Sequence, residues 1–456
     1  VKVLPAELLE DLHEVKGFDE NAFVAVHQKP AVTSVRLHPV KHNNYFAGNE
    51  RINWCPTGRY LPERPTFTLD PSFHAGAYYV QEASSMFLDY LLRNLLPEKN
   101  NLRVLDLCAA PGGKSTLLAS LLQPDSLLIS NEVIRTRASI LEENMVRWGY
   151  TNTWVASNDP RDFTKLKGYF DVIVVDAPCS GSGLFRKDEY ALNEWSTANV
   201  NLCSERQQRI LADIWPSLKQ DGLLIYATCS YSPEEDEQIL DWLSTEFEVE
   251  SLSVDIPKEW GIVMVQSSQR NIVGYRFFPD KAKGEGLFVA AIRKKGMEET
   301  VKYPKVKSAV HKLIQQQVNH LVRSNDLLYL QKDKDDYFAI NSAHESDFYL
   351  LQKALYLRKT GLSLGMPTAK EWLPDHSIAL SIDANENLNS ISINKEQALH
   401  FLKKSDLEIS IPEKGWYIIK YEGLGLGWIK SLGNRINNYL PRHWRIRMEI
   451  TDTDWA

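Results

Sequence analysis

The chain has 456 residues, with 52 Lys plus Arg against 59 Asp plus Glu and a formal charge of −7. That length suggests two to four domains, and the acidic balance gives no bulk sign of a nucleic-acid partner, so a polyanion would have to be met by local patches. Five scattered cysteines, at 55, 108, 179, 203 and 229, with no C-x-x-C pair, argue against a disulfide framework and a structural zinc site. No apolar run reaches the roughly 18 residues of a membrane helix, and the acidic start does not read as a signal peptide, so a cytoplasmic protein with no membrane and no metal is expected.

In chain order, residues 6–15 read as a helix and AVTSVRLHPV (31–40) as an alternating strand, a small leading module. Pro and Gly punctuate residues 53–65, which read as a connector ending near residue 75. From 76 to 295 short apolar runs alternate with longer amphipathic segments, the pattern of a βαβ-built parallel sheet. Strands are predicted at 103–108, 127–132, 154–157, 171–177, 223–228 and 287–293, and helices at 114–122, 134–148 and 202–218. Their continuous apolar character implies a sheet covered on both faces. Residues 296–378 read as a basic linker, part of a 293–312 strip with seven Lys/Arg against two Glu, followed by helices at 311–327 and 346–358. Residues 379–456 read as a small β-rich module.

The chemistry gathers in three places. In NLRVLDLCAAPGGKST (101–116) a strand, a glycine turn and a helix start follow one another, and Gly112–Gly113 lets main chain approach a ligand. Glu132 lies 20 residues after Gly112, at the end of the next strand, where a carboxylate suits a ribose diol. A Walker A loop would need Gly at position 108, where Cys108 stands, and the dinucleotide fingerprint G-x-G-x-x-G is absent. An adenosyl ligand such as S-adenosylmethionine fits, although composition alone does not separate it from other nucleosides. The second place, DVIVVDAPCSGSGLFRKD (171–188), puts Asp176 and Cys179 at a strand's carboxyl end, where open α/β sheets bind ligands. Gly181–Gly183 there reads as a flexible loop, with Arg186 and Lys187 available for phosphates. The third, GLLIYATCSYSPEEDEQ (222–238), places Cys229 just after a strand, with Ser232 and Glu235 spaced as a capping box for the following helix. The eight carboxylates of residues 233–250 read mostly as a solvated helix face. Cys55 and Cys203 read as buried structural cysteines.

CAAPGGKS, DAPCSGSG and ATCS, in that order, resemble the RNA 5-methylcytosine methyltransferases of the NOL1/NOP2/Sun family, over about residues 78–295. The segment GLGWIKSLGNRINNYLPRHWR (425–445) is similar to the PUA-like last domain of the bacterial small-subunit ribosomal RNA methyltransferase F type. The resemblance implies a Rossmann-like methyltransferase core with an N-terminal module and a C-terminal RNA-binding domain. It implies S-adenosylmethionine against Cys108, Ala109, Ala110, Pro111, Gly112, Gly113 and Lys114, with Glu132 on the ribose, Asp159 near the adenine in preference to Asp162, and Asp176 at the methionine side. Cys229 is implied as nucleophile, Asp176 as partner of the cytosine edge, and Cys179 as assisting release. A DNA enzyme would use Pro178-Cys179 as nucleophile instead; Thr228-Cys229 favours the RNA class. Glu235-Asp236-Glu237 departs from the acidic-Asn-Glu sequence common in the family. The expected partner is ribosomal RNA, possibly the assembled small subunit; a transfer-RNA methyltransferase or a non-catalytic RNA-binding assembly factor is the alternative. Lys430, Arg435, Arg442, Arg445 and Arg447, interleaved with Trp428, Tyr439 and Trp444, are the expected RNA-facing strip.

Overall fold

A computed structural model describes residues 2–450 except 42–44, 97, 99, 297–300, 304–311, 324–325, 332–335 and 411–412. Its centre is a ten-stranded sheet. Arg103–Asp106 runs parallel to Leu127–Asn131 on one side and to Phe170–Asp176 on the other; Thr153–Ala156 and Leu218–Thr228 extend the parallel set. Leu287–Lys294 then pairs antiparallel to Leu218–Thr228. Successive residues of these strands point to opposite faces, and both faces are dry. Val104, Leu128 and Val174 pack with the helices Phe87–Leu95, Gly113–Leu121 and Arg135–Trp148, while Leu105, Ile129 and Ile173 pack with Thr197–Ile214 and Glu237–Glu246. Burial on two faces is why these strands are uniformly apolar. The strand order reverses between Arg103–Asp106 and Phe170–Asp176, and the crevice at such a reversal is where open α/β sheets hold ligands.

Three smaller antiparallel or mixed sheets surround this core. The N-terminal one includes Thr33–Leu37, Cys55–Leu61 and Tyr78–Val80. Cys55–Leu61 lies in the stretch expected to be a connector; its Pro and Gly sit in a strand whose other residues are largely buried, and pairing with Thr33–Leu37 overrides the turn signal. The middle region, expected to be linker and helical, instead carries the sheet Leu327–Gln331, Tyr337–Asn341, Leu362–Pro367 and Trp372–Pro374 beside the helices Lys312–Val318 and Glu345–Ala354. Its strand Leu357–Lys359 pairs with Thr153–Ala156 and completes the large sheet, a long-range pairing that local periodicity does not encode. The C-terminal sheet is built on Gly415–Tyr421 and Leu424–Ser431, and its core takes in Leu69 and Ala75 of the N-terminal part. Among the described residues no helix is long and apolar enough to cross a membrane.

The basic strip at 293–312 changes character once folded. Lys294 is buried and donates to the carbonyls of Trp215 and Leu218, while Arg293 and Lys295 pair with Glu250 and Lys295 also with Asp221. Lys302 is exposed; the lysines at 305 and 307 lie outside the described residues.

Candidate active site

The strand Arg103–Asp106 delivers the chain into the loop 107–112. Leu107 N–H donates to Val174 O (2.9 Å) and Ala109 N–H to Asn131 O (2.8 Å), so the loop is tied to strands on both sides. Gly112 has φ +118, a conformation that L side chains rarely adopt, and its carbonyl receives Thr116 N–H at 2.9 Å as the helix Gly113–Leu121 begins. Arg36 buttresses the turn from the N-terminal module. Its guanidinium, 1 % exposed, donates to Thr116 Oγ1 (2.6 Å) and Gln81 Oε1 (2.7 Å).

A cavity of about 400 Å³ opens on this loop. Cys108, Ala109, Ala110, Pro111, Gly113 and Lys114 line it together with Asp176 and Cys229. Gly112, Glu132, Asp159 and Cys179 do not. Glu132 is buried at the end of Leu127–Asn131, accepts from Ile134 N–H (2.9 Å) and stands 3.4 Å from Arg137, whose guanidinium also donates to Ala110 O at 2.8 Å. Asp159 instead caps the turn Pro160–Lys165, accepting from the Arg161 main chain (3.1 Å) and side chain (3.0 Å). Burial works against ionisation there, and the Arg161 bonds outweigh it, so Asp159 is held below the usual carboxylate range.

Lys114 Nζ and Asp176 Oδ2 form an ion pair at 2.8 Å across the cavity. Burial disfavours the ammonium, but Asp176 more than compensates and holds the Lys114 pKa above its ordinary value. Asp106, fully buried at the strand end, also lines the cavity. Its Oδ2 accepts from Ser115 Oγ (2.6 Å), its Oδ1 has no hydrogen-bond partner among the described residues, and burial pushes the carboxyl up to about 7.

Two thiols meet at the strand ends. Cys179 Sγ lies 3.0 Å from Cys229 Sγ. The hydrogen bond to Cys229, reinforced by burial, drives the Cys179 pKa well above that of a free thiol, so Cys179 keeps its proton, and either sulfur can be the donor of the bond. The loops carrying them are clamped by Glu235, which is buried: Ser180 N–H (2.8 Å), Ser180 Oγ (2.5 Å), Ser230 Oγ (2.6 Å) and Gln207 Nε2 (3.1 Å) all donate to its carboxylate. Glu235 is therefore no capping-box partner. Ser232 makes no side-chain cap, and the helix proper starts only at Glu237. Asp236 is buried as well, accepting from Thr228 Oγ1 (2.6 Å) and paired with Arg276 at 3.1 Å, so part of the expected solvated acidic face is interior.

The segment Gly181–Gly183, expected to be flexible, is buried and fixed. Gly183 N–H donates to Cys229 O (2.8 Å), and a Cβ at Gly183 would stand 2.8 Å from that same oxygen. Arg186 is buried too, donating to Pro30 O (2.6 Å) and Gly284 O (3.2 Å), so it serves packing and not phosphate contact. Asp106, Glu235 and Gln207 were absent from the sequence-based site. Asp106 lies inside the strand predicted at 103–108 and closes the observed one, just before the glycine turn, a legible signal; Glu235 lay within an acidic run that masked it, and Gln207 carried no signal.

This arrangement has relatives across its length. Family models match in three segments: the N-terminal domain of 16S rRNA methyltransferase RsmF over residues 4–83, 16S rRNA methyltransferase RsmB/F over 93–293, and the methyltransferase RsmF PUA domain over 388–446. The ribosomal RNA small subunit methyltransferase F of Psychromonas ingrahamii is 30% identical over 460 residues, covering 92% of both chains. The chain belongs to the ribosomal RNA small subunit methyltransferase F family. Another member, from Vibrio campbellii, is 30% identical over 96% of this chain and 97% of its own. Among solved structures, a methyltransferase homolog protein from Pyrococcus horikoshii superposes with a TM-score of 0.51 at 26% identity, covering 64% of this chain and all of its own.

In this methyltransferase F family member the C-terminal strip divides in two. Trp428 is buried and donates Nε1–H to Asp375 O (2.9 Å), and Lys430 pairs with Glu371, so neither presents a free face to RNA. Arg435, Arg442, Arg445 and Arg447 are exposed, as is Tyr439, whereas half-buried Trp444 lies under the Arg147 guanidinium at 5.2 Å.

Proposed function

We propose that this chain methylates carbon 5 of a cytosine in small-subunit ribosomal RNA, using S-adenosylmethionine and a covalent adduct on Cys229. The observation that carries the reading is the 3.0 Å approach of the Cys179 and Cys229 sulfurs, with Cys229 in the same cavity as the Asp176–Lys114 pair.

The cavity suits a cationic sulfonium nucleoside. Glu82, Asp106, Asp176 and Glu285 line it against Lys114, the one Lys or Arg in its wall among the described residues, and the Asp106 oxygen that has no partner among them is buried there. The main chain of Cys108–Pro111 and Gly112–Gly113 would hold the ligand, with Lys114 and Asp176 toward its methionine end and Glu132 toward the ribose; Asp159 could reach the adenine only by releasing Arg161. When bound, S-adenosylmethionine supplies an electrophilic methyl group.

The residues of the chain make the cytosine reactive. Carbon 5 is a poor nucleophile, and addition of the Cys229 sulfur to carbon 6 places the displaced electron pair where carbon 5 can attack. Asp176, steadied by Lys114, hydrogen-bonds the N3/N4 edge and stabilises the adduct. After methylation a base takes the carbon-5 proton, the C5–H electron pair re-forms the C5–C6 double bond, and the C6–S bond breaks with its pair leaving on the Cys229 thiolate; Cys179, its sulfur 3.0 Å away, assists that departure. The target base must leave its stack to enter the cavity. Exposed Arg435, Arg442, Arg445 and Arg447 dock RNA phosphates, and the substrate is small-subunit RNA, free or in the assembled particle.

The test uses small-subunit RNA and methyl-labelled cofactor. Cys229→Ala forms no protein–RNA adduct, whereas Cys179→Ala accumulates one that denaturing electrophoresis retains. The reverse pattern would overturn the assignment of nucleophile.

A further inference from the structure

A second cavity, of about 480 Å³, lies away from the cysteines where three parts of the chain meet. One wall is the helix Arg135–Trp148, which presents Ser139, Glu142, Glu143 and Val146 to it, residues spaced three and four apart on one face. The other walls come from the middle sheet, through Tyr337 and Phe338, and from the C-terminal region, through Asp375, His376 and Trp444. The opposite side of the same helix carries the cofactor loop: Asn144 Nδ2 donates to Pro111 O (2.8 Å), and Leu141 Cδ1 would stand 3.3 Å from a Cβ on Gly112. One helix diameter, roughly 10 Å, thus separates the two cavities.

His376 is the anomaly in this wall. It is 9 % exposed, and neither ring nitrogen has a hydrogen-bond partner among the described residues. Burial, with Arg147, His443 and Lys404 nearby, lowers its pKa to about 3, so the ring is neutral and offers one donor and one acceptor. A buried polar group left unpaired costs free energy, which a partner entering the cavity would recover. The charges in the wall decide what could satisfy it. Glu142 is taken up by Arg358 (3.0 Å) and Glu143 faces His443 (3.8 Å), while Lys359 is spent on the carbonyls of Thr153 and Gly361. Asp336 and Asp375 also lie in the lining, and among the described residues Asp375 feels Lys359 only through space, with no ion pair formed. Four carboxylates against Arg358, Lys359 and His443 disfavour a phosphate. A planar, uncharged ring bearing adjacent N–H donors fits, lying beside the Trp444 ring that already packs edge-to-face on His376 at 4.7 Å.

We propose that this cavity receives one unpaired guanine of the RNA substrate, its N1–H and N2–H directed to Asp375 and its acceptor edge to His376, as a second recognition site beside the catalytic one. Guanine is the base that presents two adjacent donors next to an acceptor on one edge. The proposal rests on the RNA methyltransferase reading for its source of guanine, and it deepens that reading by adding a nucleotide that the cysteines never touch.

The test is saturation-transfer NMR on the full chain with guanosine, adenosine, cytidine and uridine in turn, S-adenosylhomocysteine being present to occupy the other cavity. Guanosine gives the strongest transfer. Asp375→Asn, which keeps the cap on Ser377 N–H, and His376→Phe, which keeps the ring packed on Trp444 but removes both nitrogens, each weaken it by about tenfold, the scale of one base-edge hydrogen-bond pair. S-adenosylhomocysteine affinity unchanged in both variants establishes that they fold. Equal transfer from all four nucleosides, or a guanosine signal that neither substitution alters, would overturn the proposal. The Cys229→Ala chain retains guanosine binding, so this site and the catalytic assignment fail independently.

Discussion

Removing the Glu235 carboxylate tests whether the two thiols are held in register by a buried clamp. In Glu235→Ala the Ser180 N–H loses its acceptor inside the protein. The Ser180 and Ser230 hydroxyls, 3.4 Å apart, can share one hydrogen bond, and Gln207 Nε2 keeps Pro178 O at 3.0 Å, so two donors are orphaned, Ser180 N–H and one hydroxyl, and not four. An orphaned buried donor costs about 1–3 kcal/mol, and the lost charge-assisted bonds add to it. Against this, burial raises the Glu235 pKa despite its hydrogen bonds, which means the carboxylate itself is held at some cost. The balance is a destabilisation of about 3 kcal/mol for alanine. Glu235→Gln keeps an acceptor for Ser180 N–H and Gln207, and its amide can donate to hydroxyls that reverse their protons, so about 1 kcal/mol or less is lost. Urea unfolding of the full chain, followed in its methyltransferase transition, measures both. Adduct formation with RNA supplies the second readout, since Ser180 and Ser230 directly follow Cys179 and Cys229: it slows in alanine and survives in glutamine. A glutamine variant as damaged as alanine, or an alanine variant as stable and active as the parent, would refute the clamp.

Three further outcomes follow from the same geometry. Asp106 has its pKa raised from 3.8 to about 7; the folded state holds its proton more tightly than the unfolded chain, so its contribution to stability is present below pH 4 and declines between about pH 4 and 7. Asp106→Asn should remove up to ~1.4 kcal/mol per pH unit of that decline, as unfolding free energies of parent and variant between pH 5 and 8 would report. Arg276→Met strips the buried Asp236 of its cation and should destabilise by about 3–5 kcal/mol in denaturant unfolding; lysine should rescue only in part, lacking the fork that also grips Glu237. Replacing exposed Arg442, Arg445 and Arg447 by serine should weaken RNA binding and flatten the salt dependence of log K by about 2, a change read from filter binding at several salt concentrations; an unaltered slope would remove these residues from the RNA surface.

Much of the catalytic domain was legible in the residue order because its strands are buried on both faces and its helices on one. Runs such as DVIVVDA and LLIYAT can satisfy that burial only as interior strands. CAAPGGKS, DAPCSGSG and ATCS sit where those strands end, so the loop at 108–114, Asp176, Cys179 and Cys229 were nameable from the chain alone, as was the family. Contacts between distant segments were not. Cys55–Leu61 becomes a strand only when Thr33–Leu37 lies beside it, and Leu357–Lys359 joins the large sheet only through Thr153–Ala156. Charge was the least readable property, since sequence reports how many charges exist and not which are spent inside. Arg186, Lys294, Glu235 and Asp236 looked like surface groups and proved to be buried partners of carbonyls, serines and one another, while Asp106 acquired its raised pKa from burial that no local pattern encodes. The sequence by itself determined which chemical groups the chain owns and the order in which strands present them. The tertiary structure decided which of those groups are paired, which are left without a partner, and that two thiols fifty residues apart stand 3.0 Å from each other, because distance and desolvation arise only when remote segments pack.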